Sequence, residues 1–154
     1  MKISTKGRYG LRAITDIAVH GETEAVSLQS IARRQKISER YLEQLMASLK
    51  KAGLVVSIRG AQGGYRLAKD AGDISVGDVL RALEGSLEAV VCADNQGDGS
   101  CIGADRCVTR VVWKQINDGI RKAVDTLMLS QLVEESKKVQ QQGQCSISIC
   151  ESQE

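Results

Sequence analysis

The chain contains no phenylalanine and no proline, and only one tryptophan, three tyrosines and one histidine among 154 residues. A core built without Phe must be aliphatic, and turns made without Pro fall to Gly, Asn and Asp. These deficits fit a mostly helical protein. No apolar run approaches the roughly 18 residues of a membrane-spanning helix, and the opening Met1-Lys-Ile-Ser lacks the apolar stretch of a secretion signal. The expected location is the cytoplasm. No nucleophile with a histidine, no phosphate-binding loop and no paired carboxylates in a cleft are visible, so an enzyme is not expected.

With 42% hydrophobic and 26% charged residues, the length suits one compact domain plus an accessory segment. The net charge of +2 conceals a segregation: residues 1–69 hold 13 Lys and Arg against 5 Asp and Glu, a balance of +8, and residues 70–154 hold 8 against 14, a balance of −6. A basic half joined to an acidic half is the pattern of a nucleic-acid reader attached to a regulatory or dimerising region.

Along the chain, Leu11, Ile14, Ile17 and Ala18 give a first helix with one buried stripe, and Lys6 and Arg8 lie near its start. Cations there oppose the helix dipole, which points to a phosphate outside. Ser27 is placed to cap a second helix that buries Leu28, Ile31 and Ala32, and Ser38 a third that buries Leu42, Leu45, Met46 and Leu49. Ile37 lies in the turn between them and Gly53 ends the third. This is a helix-turn-helix layout. The exposed side of the third helix carries Glu39, Arg40, Glu43, Gln44 and Lys50, side chains that can read guanine, adenine or a cytosine amino group.

Leu54, Val56 and Ile58 are then expected to form the apolar alternation of one strand and Tyr65 and Leu67 that of another. The turn GAQGG joins them into a hairpin, a wing with Arg59 at its tip. Ser75, with Asp78 three residues on, caps a short helix with Val79, Leu80 and Leu83 inside and Gly85 as its stop. Val108, Val112, Ile116, Ile120, Ala123 and Leu127 step by three or four, a long helix whose stripe calls for a second subunit. Leu129, Leu132 and Val133 can form a last short helix, and from Ser136 the periodicity is lost, as in a flexible tail.

Three of five cysteines, Cys92, Cys101 and Cys107, fall within a glycine- and aspartate-rich run that has neither helical nor strand periodicity. Thiols grouped in such a run point to metal ligation or redox chemistry, with merely tolerated free thiols as the plain alternative.

The motifs KGRYG, SERYLEQL, AGLVVSIRGAQGGYRLAKD, ISVGDVL and CVTRVVWKQI resemble the Rrf2 family of bacterial transcription regulators, over roughly residues 1–134, and the three cysteines resemble its iron-sulfur branch. The resemblance implies a mainly α fold: a winged helix-turn-helix domain over residues 1–85, a cluster-binding loop over 86–107, a dimerisation helix and short terminal helix over 108–135, and a flexible tail over 136–154. It implies a homodimer on palindromic double-stranded promoter DNA, with contacts from Lys6, Arg8, Ser38, Glu39, Arg40, Tyr41, Glu43, Gln44, Arg59 and Gly60. It also implies a 2Fe-2S cluster on Cys92, Cys101 and Cys107, supplied by iron-sulfur assembly proteins. The branch has a histidine as fourth ligand where this chain has Arg110, a guanidinium with no lone pair to offer. Asp98, Asp105, a backbone group, His20, Cys145 and Cys150 stand as replacements. Alternatives to a cluster sensor are a regulator with a direct thiol-redox or nitric oxide switch, and an adaptor that binds a metabolic enzyme through the acidic half.

Overall fold

The computed structural model describes residues 3–90 and 106–150, with side chains to residue 141. Its helices are α1 (Thr5–His20), α2 (Leu28–Gln35), α3 (Glu39–Lys51), α4 (Val76–Glu84), α5 (Arg110–Asp125) and α6 (Leu129–Cys150). Strands β1 (Val55–Ile58) and β2 (Gly64–Leu67) lie between α3 and α4, followed by one 3-10 turn, Ala71–Asp73. This is the expected mainly helical chain with a small antiparallel sheet.

Helix starts follow the polar caps in the sequence. Ser27 accepts from the Ser30 N–H at 3.1 Å, and Ser38 from the Tyr41 N–H at 3.4 Å. Ser75 and Asp78 form a reciprocal capping box at α4, so two otherwise orphaned donors are satisfied at once. The turn from α2 to α3 passes through Lys36 at φ 54°, with Ile37 buried beneath it. Helix α3 buries Leu42, Leu45, Met46 and Leu49 completely, each contributing about 2 kcal/mol by transfer from water.

The wing departs from the expected alternation by one residue. Leu54 is buried but precedes the strand, its N–H still bonded to the Leu49 carbonyl at 3.0 Å as α3 ends. The inward parity of β1 therefore starts at Val55, which is buried, and Val56 and Ile58 face solvent. A shift of one residue exchanges the two faces of a strand. Val55 pairs with Leu67 and Ile58 with Gly64. Val26, just before α2, adds a third backbone partner by exchanging two hydrogen bonds with Tyr65, at 2.8 and 2.9 Å.

One core holds α1 to α4 together, with Ile14, Ile17, Ile31, Leu42, Leu45, Leu49 and Ile74 fully buried. Helix α4 crosses α1 closely because Gly10 has no side chain: a Cβ there would meet Leu83. Leu129 and Val133 of α6 belong to this same core, so residue 85 does not close the winged unit. The backbone stitches them in, with the Val76 N–H bonded to Leu127 and the Leu129 N–H to Ile74, both at 2.8 Å.

Two expectations about the second half change. Helix α6 does not stop near residue 135 but continues to Cys150. Its Lys-, Glu- and Gln-rich sequence without proline favours helix even where no apolar stripe remains. Helix α5 has two faces rather than one. Ile120 and Val124 pack against Val76, Leu80 and Leu87 of the same chain, whereas Val111 (72%), Val112 (51%) and Ile116 (40%) stay exposed, as does Val108 (86%) just before the helix. Ile120 is thus part of the chain's own core, because its spacing from Val124 and Asn117 turns it toward α4.

Candidate functional site

Arg40, Glu39, Glu43 and Gln44 are all exposed on α3, in line with a face free to meet a groove of DNA. Two contacts tie this face to the other elements carrying candidate residues, and a third, within α1, braces one of them. Tyr41 is half-buried and stands edge-on to Tyr9 of α1, the ring centroids 6.2 Å apart at 82°. Arg12 lies over the same Tyr9 ring at 5.3 Å. Lys50 donates to the Ser57 hydroxyl at 2.7 Å, joining α3 to β1 two residues before Arg59. Arg59 and Gly60 are exposed at the wing tip, Gly60 with φ 121° and its carbonyl accepting from Gly63 at 3.0 Å. Ser38 spends its hydroxyl on the α3 cap while remaining exposed.

Lys6 is half-buried and Arg8 exposed at the start of α1. The positive end of that helix already has an acid. Glu84 accepts from the Gly7 N–H at 2.8 Å, the Ser4 N–H at 3.1 Å and the Ser4 hydroxyl at 2.6 Å. The first N–H groups of α1 thus find their acceptors within the chain.

Behind the face lies a polar lock. Asp16 is buried and receives a fork from Arg34, Nη2 at 2.6 Å and Nε at 3.0 and 3.1 Å, plus the Gln35 amide at 2.8 Å. Hydrogen bonding to Asp16 raises the Arg34 pKa above its ordinary value, against a smaller opposing effect of burial. Arg12 in turn donates to the Gln35 side chain at 3.2 Å and its carbonyl at 2.6 Å. These links fix the angle between α1 and the helix-turn-helix. An acid beside the apolar stripe of α1, followed later by Arg34-Gln35, was the sequence signal for this lock.

Of the cysteines, Cys107 is described, and the sites at Cys92 and Cys101 lie outside the described residues, as do Asp98 and Asp105. Cys107 is an exposed free thiol three residues before α5, its Sγ 3.2 Å from the Thr109 hydroxyl. That hydroxyl, then the Arg110 backbone N–H, hold the thiol below its ordinary range. A thiol inclined to ionise fits an iron ligand or a redox-active group. Arg110 does not fit as a ligand. His20 is in the last turn of α1 and lines a groove with Arg34, Gln35 and Val139. Cys145 and Cys150 fall within α6. Among the described residues no three potential metal-ligating side chains come together.

Sequence reasoning missed Asn117. It is buried on α5, where its side chain bonds the backbone of residues 89 and 90, so the expected loop over 86–107 begins attached to a helix.

An exposed helix-turn-helix face, a wing joined to it and a separate helix with an unpartnered apolar stripe define a winged helix-turn-helix DNA-binding regulator. Residues 3–135 match the Rrf2 family, described as an iron-dependent transcriptional regulator, and the chain belongs to that family. It is 44% identical over 133 residues to the HTH-type transcriptional regulator IscR of Enterobacter sp. (strain 638), covering 86% of this chain and 80% of that one. Among solved structures it is similar to T. potens IscR, with TM-score 0.71, 44% identity and 91% of each chain covered. It is also similar to CymR, the global cysteine regulator of B. subtilis, with TM-score 0.72, 40% identity, and 88% of this chain and 98% of that one covered. No helix of the described residues is long and apolar enough to cross a membrane.

Proposed function

We propose that this protein is a homodimeric regulator that binds palindromic promoter DNA and senses iron-sulfur status through a 2Fe-2S cluster, controlling genes of cluster biosynthesis in the cytoplasm. The observation that carries the reading is the position of Cys107. An exposed thiol stands three residues before α5, whose exposed Val111, Val112 and Ile116 would meet a second subunit. Cys92, Cys101 and Cys107 would hold the cluster, which would supply an oxidisable centre whose presence can be read by the dimer. Arg40, Gln44 and Glu43 would read base edges, Arg59 the minor groove, and Lys6 and Arg8 phosphates.

Anaerobic purification followed by visible absorption and iron and sulfide analysis tests the sensor; a colourless, iron-free protein overturns it. Operator affinity tests the reader. About six to ten phosphate contacts imply a loss of roughly a thousandfold or more between 50 and 200 mM salt, and a flat dependence overturns it. A second reading, in which the thiols themselves are the switch, draws support from the exposure of Cys107 and the likeness to a cysteine regulator. It predicts an iron-free protein whose operator binding changes with thiol oxidation.

A further inference from the structure

The turn between α2 and α3 is flanked by Gln35, the last residue of α2, and by Tyr41, in the first turn of α3. Arg12 of α1 reaches both flanks. Its Nη2 donates to the Gln35 carbonyl at 2.6 Å, and its Nε donates to the Gln35 side-chain oxygen at 3.2 Å. Its guanidinium lies over the Tyr9 ring, 5.3 Å from the centroid, and that ring meets the Tyr41 ring edge-on at 6.2 Å. Between the flanks stand Lys36 in the left-handed conformation, buried Ile37 and the cap residue Ser38.

Pairing along α1 does not explain the arginine. The acid one turn on, Asp16, is engaged by Arg34 and the Gln35 amide. The two bonds from Arg12 give a donor to one of the terminal carbonyls of α2, groups a helix itself leaves without one, and set a cation at the negative end of that helix. Stacking on Tyr9 carries the link across to α3. A lysine at this place would offer a point charge with neither the planar fork nor the stack.

We propose that Arg12 is a positioning residue for base recognition: it clamps the α2–α3 turn from both sides and so sets the angle at which Glu39, Arg40 and Glu43 are presented. It does this through Gln35, Tyr9 and Tyr41 and not by holding a phosphate. The significance of that angle rests on the function proposed above, in which the start of α3 meets base edges; the clamp itself does not.

The test uses the full chain and two probes, a duplex enriched from a random pool by the unsubstituted protein and a shuffled duplex of equal length and composition. Arg12→Lys keeps the charge and loses the fork and the stack. It is expected to lower the ratio of the two affinities about tenfold, with the slope of log affinity against log salt unchanged. The loss should be non-additive with that of Tyr9→Leu, since both break one path to α3. A phosphate contact gives the reverse pattern: Arg12→Lys binds both duplexes like the parent, and Arg12→Gln weakens both alike, flattening the slope by about 0.9 per contact. That pattern overturns the proposal. So does parental discrimination in a folded Arg12→Lys of lowered Tm, the mark of a role in stability alone. Should Arg12→Lys not fold, Arg12→Gln decides by the same ratio. If the unsubstituted chain enriches no sequence, the proposed function fails, and the clamp is decided without DNA. Amide hydrogen exchange is then read at Lys36, Ile37 and Leu42, whose N–H groups bond to the carbonyls of Ala32 and Ser38. Exchange about tenfold faster there in Arg12→Lys, with the amides of α1 unchanged, upholds the clamp; equal exchange overturns it.

Discussion

Lys36 is the only non-glycine residue with positive φ among the described residues, and it occupies the turn between α2 and α3. Its N–H closes α2 on the Ala32 carbonyl. A side chain in this left-handed conformation costs roughly 1–2 kcal/mol. Glycine removes that cost but brings more freedom to the unfolded chain, worth about 0.5–1 kcal/mol. Lys36→Gly should therefore stabilise the fold by about 0.5–1 kcal/mol, a rise of roughly 2–4 °C in Tm per kcal/mol for a chain of this size. Calorimetry without DNA checks this, and a lower Tm would mean that the lysine side chain makes contacts worth more than the backbone relief. Nothing in the sequence marks this position, since the left-handed residue of a tight helical turn is read from sequence chiefly when it is Gly or Asn.

Helix α4 shows how a cap becomes a pH dependence. Burial pushes the Asp78 carboxyl up, but bonds from the Ser75 hydroxyl and N–H and the Arg81 guanidinium outweigh it, so it titrates below its ordinary value. The folded pKa lies below the unfolded one. The cap thus contributes fully above the usual carboxylate value of about 3.9, and its contribution is lost as pH falls through the lower folded value. Asp78→Asn should flatten this acid limb and cost about 1 kcal/mol at neutral pH, measured by urea midpoints between about pH 6 and 3. The capping box was legible because Ser75-x-x-Asp78 is a local pattern, as were Ser27, Ser38 and the buried face of α3. The wing's parity was not, because Leu54 is buried by the end of α3 and only mimics a strand residue. The exposed side of α3 was legible residue by residue; the Asp16–Arg34 lock and Asn117 required partners 18 and 28 residues away in sequence.

At the scale of the molecule, the exposed stripe of α5 separates assembly from folding. Val112→Glu with Ile116→Glu alters only exposed positions, leaving Ile120 and Val124 on α4. The expected outcome is a folded monomer with operator binding largely lost, because each half-site alone is weak. Sedimentation at micromolar concentration checks it, and a persistent dimer would place the subunit contact elsewhere. The placement of Leu129 and Val133 in the core of α1 to α4 has a consequence for synthesis. At about 5–20 residues per second, a ribosome takes several seconds to proceed from residue 85 to residue 133. During that interval the nascent DNA-reading half is complete in sequence but unsealed. Stalled chains ending near residue 107 should therefore be far more protease-sensitive than chains ending at 150. Cys92, Cys101 and Cys107 are all translated before residue 133, so no newly made chain seals the core of α1 to α4 before it carries these three thiols.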